Sequence, residues 1–121
     1  MSESDTQQSG GVIIASEAGL AIRSMRDVMD VIGAAYDADG IVLTPDDVDP
    51  SFFDLHSGLA GELFQKVTNY DLRLALVVPD PAAYGPRWAD LAAEHTDHGT
   101  IRFLPSKEAA VAWVRSGRAP T

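Results

Sequence analysis

The chain alternates short apolar runs with longer stretches in which apolar residues recur every three or four positions. Residues 11–15 (GVIIA) are apolar and rich in β-branched side chains, which predicts a buried strand. Residues 17–19 read as a turn, and residues 20–23 as a second short strand that pairs with the first as an antiparallel hairpin. Ser24 is placed as an N-cap, with Asp27 three residues on. Met25, Val28, Met29, Ile32, Ala35 and Tyr36 then follow helical spacing to about residue 38, and Gly40 closes that helix. Residues 41–44 form the next strand, and a loop dense in Asp and Pro follows over 45–51. A helix is expected from about Ser57 to Asn69, with Leu59, Leu63, Phe64 and Val67 inward. Residues 72–78 are almost continuously apolar, as parallel strands buried on both faces are. Tyr84, Trp88, Leu91 and Ala92 mark a helix over about 82–95, residues 100–104 the last strand. Ser106 caps a final helix with Ala109, Ala110, Trp113 and Val114 inward.

Strands alternating with helices imply right-handed crossovers. The expected fold is therefore α/β, a small mostly parallel sheet of four to five strands with about four helices. It forms one domain over residues 11–116, with a disordered tail at 1–10 and a short one at 117–121. In such sheets ligands sit beyond the carboxyl ends of the strands. That puts the loops at 45–57, 79–85 and 105–106 on the candidate functional edge.

Charge narrows the partners. Eighteen acids against nine Lys and Arg give a formal charge of −9, which argues against nucleic acid and against an anionic membrane surface. No Cys is present, so neither a thiolate nucleophile nor Cys-ligated zinc is available. No apolar stretch approaches the roughly 20 residues of a membrane span, and a cytoplasmic protein without a cofactor is the expectation.

The segment FFDLHSGLAGELFQKVTNY, residues 52–70, carries the most information. Asp54, Ser57 and Gly58 stand where a helix should begin, and helix starts attract anions. The run FFDL, then Gly-Leu-Ala-Gly-Glu, then Gln65-Lys66 and Asn69-Tyr70 resembles a small bacterial family catalogued as domain of unknown function 4180. That resemblance covers residues 12–114 and supplies no catalytic residue. More widely, IVLTPDDVDPSFFDLHSGL is similar to the middle of a STAS domain, the fold of anti-sigma-factor antagonists. That resemblance implies a STAS-like fold, and a Ser at the helix start that a partner kinase phosphorylates. By position that residue is Ser57, followed by Gly58 and Leu59, with Asp54 two residues out of register. Physically, a phosphate on Ser57 would meet the amides of residues 58–60. The plainer role for Ser57 is to cap its own helix, worth about 1 kcal/mol.

Other constellations are weaker. Asp54, His56 and Ser57 hold the residue types of a hydrolytic triad, but near-adjacent residues seldom converge in line. His95 and His98 stand three apart, and Gly99 ends their helix. Asp46, Asp47 and Asp49 lack the Gly and distal Glu of a calcium loop. Glu62, Lys66, Asn69 and Tyr70 form one polar stripe along a helix, with Gln65 beside it. An amide-rich stripe ending in Tyr suits an interface. Two readings follow. In the first, a non-enzymatic regulatory module docks a partner protein on the helix that starts near Ser57. In the second, a small-molecule or nucleotide-binding domain or enzyme subunit holds an anion at the helix start near Ser57 or Ala82. A symmetric homodimer fits either. A cavity of several hundred Å³ over the strand ends would favour the second, and a flat apolar-rimmed edge the first.

Overall fold

The structure, a computed structural model, describes residues 11–96 and 98–116. The expected tails at 1–10 and 117–121 lie outside the described residues. Four strands form one sheet: β1 (Val12–Ile14), β2 (Gly40–Leu43), β3 (Arg73–Val77) and β4 (Ile101–Leu104). They lie in chain order, and every neighbouring pair is parallel. The helices are a single turn α1 (Ala15–Ala18), then α2 (Met25–Ala34), α3 (Leu59–Asn69), α4 (Pro86–Glu94) and α5 (Lys107–Ser116). No helix among the described residues is long and apolar enough to cross a membrane.

Strand order decides where the helices go. Each crossover steps one strand in the same direction, and right-handed crossovers then place α2, α3 and α4 on one face. Residues along a strand alternate between faces. Ile41, Leu43, Leu74 and Leu76 accordingly pack with Val28, Leu63, Val67 and Trp88 of the three helices. Val42, Ala75 and Val77 point the other way, against Ala110, Trp113 and Val114 of α5. Both faces are thus apolar, which is why the β3 sequence reads as a continuous hydrophobic run.

Three expectations need correction. The antiparallel hairpin does not form. Residues 15–18 close into a helical turn, ended by Gly19 at φ 72°, and the Leu20 amide donates back to the Ala15 carbonyl at 2.9 Å. Ile22 instead makes a parallel bridge with Val48, in the loop after β2. Its amide donates to the Asp47 carbonyl (2.9 Å) and its carbonyl accepts from the Asp49 amide (2.8 Å). Second, α2 stops at Ala34, and Gly40 opens β2 rather than ending a helix. Third, Met25, Met29 and Tyr36 do not join the core; they are 46%, 44% and 69% exposed. The buried stripe of α2 is Val28, Val31 and Ile32, continued by Ala35 beyond its end. Together with Val31, the apolar positions span roughly 160° of the helix at 100° per residue, wider than one sheet-facing stripe covers. The three long side chains at one margin of that arc are left outside.

Candidate functional site

Between β2 and α3 the chain runs through three single 3-10 turns, each fastened by a carboxylate acceptor. Asp47 accepts from the Thr44 amide (2.8 Å) and hydroxyl (3.0 Å). Asp49 accepts from the Ser51 amide (3.0 Å) and hydroxyl (2.7 Å). Asp54 accepts from the His56 amide at 3.0 Å. The Ser51 hydroxyl and amide, with Arg23 nearby, hold the Asp49 carboxyl below its ordinary 3.8. Asp47 and Asp49 are therefore occupied in shaping turns, and no group of three or more metal-ligating side chains exists among the described residues.

Ser57 stands one position before the N-cap of α3, which is Gly58 at φ 81°. Its hydroxyl donates to the Ser51 carbonyl (2.7 Å) and accepts from the Leu59 amide (3.2 Å). It thus performs the capping task from just outside the helix while fastening the preceding turn. The Gly58 amide donates to the Leu55 carbonyl at 3.4 Å, so two of the three amides a phosphate would meet are already engaged. His56 is fully exposed and pairs with Asp54 at 3.5 Å, while the Ser57 proton goes to Ser51. The triad is not assembled. Ser57→Ala is expected to cost about 1 kcal/mol in urea denaturation with the fold retained. A loss under a few tenths would mean the two hydroxyl bonds hold nothing.

The polar stripe of α3 is where sequence placed it. Glu62 and Lys66 pair at 3.4 Å and are half-buried; Gln65, Asn69 and Tyr70 are exposed. What sequence missed lies beside it. Met25 of α2 reaches the start of α3, its Cε 3.2 Å from where a Gly58 Cβ would stand. Of the five large hydrophobic side chains exposed among the described residues, Met25 and Met29 lie on α2, and Tyr36 and Tyr70 lie just past the carboxyl ends of α2 and α3. The over-wide apolar arc of α2 was the available signal.

The two histidines serve as local hydrogen-bonding groups. His98 Nδ1 accepts from the Thr100 and Ile101 amides at 3.1 and 3.0 Å, and His95 Nδ1 lies 2.7 Å from the Leu91 carbonyl. Trp88 is buried, and Trp113 lies under the guanidiniums of Arg73 and Arg102 at 4.7 and 5.2 Å.

At the carboxyl ends of the strands, β3 feeds α4 on one face and β4 feeds α5 on the other. The two loops diverge and open a crevice of 340 Å³ lined by Val78, Pro79, Pro81, Phe103, Leu104 and Pro105, with α4 at its side. Its volume suits a ligand. Its chemistry does not suit an anion, because no charged side chain lines it and three of its loop residues are prolines, which have no amide to donate. A second cleft of 220 Å³, lined by Pro45, Pro50, Phe53 and Tyr84, is likewise free of charged side chains. Tyr84 there stacks on Phe53 with ring centroids 3.9 Å apart.

Comparison with curated proteins and with solved structures gave no match. A protein family is matched over residues 7–114, and this extent includes every strand among the described residues and all but the last two residues of α5. The chain therefore belongs to the DUF4180 family, described as a domain of unknown function.

Proposed function

We propose that this chain is a non-enzymatic regulatory module that docks a partner protein on the face formed by α2 and α3. One observation carries the reading: four of the five exposed large hydrophobic side chains among the described residues sit on α2 or just past the carboxyl ends of α2 and α3. Apolar surface that is concentrated rather than scattered marks an interaction site. Glu62, Gln65, Lys66, Asn69 and Tyr70 give the face a polar margin, which interfaces require around an apolar centre. The turn Asp54-Leu55-His56-Ser57 closes one end, next to Met25. A phosphoryl group on Ser57 would break its donation to Ser51 and set two negative charges near Asp54, so this turn is the natural place for a switch. The runner-up, a small-molecule domain, draws support from the volume of the strand-end crevice. A thermal-shift panel of nucleotides and metals tests it.

Capture from the organism's own lysate tests the docking face. Met29→Asp with Tyr36→Asp should reduce recovery of the partner about tenfold or more. Because both side chains are exposed, the thermal midpoint should stay within a few degrees of the parent. Equal recovery by parent and variant would sink the reading.

A further inference from the structure

Helices α2 and α3 pack side by side on one face of the sheet, and the charge they present differs from end to end. Both helices cross from the carboxyl edge of the sheet to its amino edge, so they run side by side in the same direction. Within α2, Met25 and Met29 stand one turn apart, about 6 Å at 1.5 Å per residue, and Tyr36 follows two residues beyond the helix end. Methionine side chains adapt to whatever packs on them, and paired helices form a trough suited to an amphipathic helix.

Charge is unevenly distributed along the trough. Glu62 and Lys66 satisfy each other at 3.4 Å. At the far end, the carboxyl termini of both helices emerge together, each carrying about half a negative charge. The last turn of α2 holds no basic residue to offset it, and Asp37 follows; the last turn of α3 holds Lys66, whose charge Glu62 shares. Asp71 follows α3, with its backbone at φ 58° and its side chain exposed. Tyr36 and Tyr70, both exposed, stand at this same end. Two aromatic faces beside two carboxylates and two helix termini favour Lys or Arg, by ion pairing and by cation–π contact. A second copy of this chain fits less well, since each copy carries a formal charge of −9.

We propose that the α2–α3 trough seats an amphipathic helix of another protein, its apolar side over Met25, Met29 and Tyr36 and its Lys or Arg residues at the Tyr36–Asp37 and Tyr70–Asp71 end. The inference rests on the docking reading above. The test places a photocrosslinker in the full chain, Met29→p-benzoylphenylalanine, irradiates it in the native lysate and sequences the crosslinked segment by mass spectrometry. The expected segment has apolar residues at helical spacing over at least two turns and a net positive charge. Adding Asp37→Asn and Asp71→Asn should lower the crosslink yield about fivefold, as two lost charge contacts do. Crosslinking to an acidic segment, to one without helical spacing or to a second copy of this chain overturns the inference. So does a yield unchanged by the two Asn substitutions. No adduct at all at position 29 overturns the docking reading itself.

Discussion

Trp88→Ala will destabilise the domain by about 3–5 kcal/mol, a large share of the roughly 5–15 kcal/mol that a domain of this kind holds. Trp88 is 1% exposed and sits at the centre of an aromatic group, with ring centroids 6.0 Å from Phe52, 5.1 Å from Phe53 and 6.0 Å from Phe103. Its indole N–H donates to the Phe53 carbonyl at 2.8 Å. That bond ties α4 to the turn that precedes α3, although the two lie 35 residues apart in sequence. Truncation removes the ring's buried area, leaves a cavity and orphans the carbonyl. Trp88→Phe separates these effects. It keeps most of the apolar area but offers no donor, and should cost about 1–2 kcal/mol more than area alone predicts. Urea denaturation reads both. A Trp88→Ala loss below about 1 kcal/mol would mean that α4 is not anchored through this ring.

The consequence reaches the docking face. Phe52 and Phe53 occupy the 3-10 turn whose Ser51 carbonyl receives the Ser57 hydroxyl. Loosening Trp88 should therefore loosen the start of α3, even though Trp88 lies in none of the surfaces proposed for binding.

What could be read from sequence follows from which forces are local. Strands β2 and β3 were legible because runs buried on both faces are almost continuously apolar. The α3 stripe was legible because a single buried stripe with polar residues opposite admits one orientation. Residues 20–23 were misread because Ile22 looks like a strand residue whatever its partner. The loop amide and carbonyl that flank Val48 chose the pairing, and nothing within 20–23 encodes that. The exposed row on α2 was misread for a different reason. Apolar spacing marks an arc, and only the width of the surface beneath decides how much of it is covered. The anion reading of the Ser57 turn failed to gain support because the Ser51 and Leu55 carbonyls, invisible as pattern, claim the Ser57 hydroxyl and the Gly58 amide.

Gly40→Ala should be the second severe change, at about 3 kcal/mol, near the top of the usual cost of overpacking. Gly40 opens β2 and pairs with Val12 on one side and Arg73 on the other, in the interior of the sheet. A Cβ built there would stand 2.4 Å from the Arg73 carbonyl oxygen, 2.8 Å from Val114 Cγ1 and 2.9 Å from Arg73 Cβ. A side-chain atom can rotate away; a backbone oxygen of the central strand can move only if the ladder opens. Val114→Ala removes one of the three contacts, so the Gly40→Ala, Val114→Ala pair should recover only a fraction of the Gly40 cost. Full recovery would show that the side chain of α5, not the strand backbone, sets the limit. Gly33→Ala is the internal contrast. Gly33 lies within α2, where nothing stands within 4 Å of its Cβ position. There the same methyl relieves the entropy cost of helical glycine and should stabilise by about 0.5–1 kcal/mol. Opposite signs for one substitution at two glycines, measured in the same denaturation series, would establish that close strand approach, and not the α2 helix stop assigned from sequence, is what requires glycine at position 40.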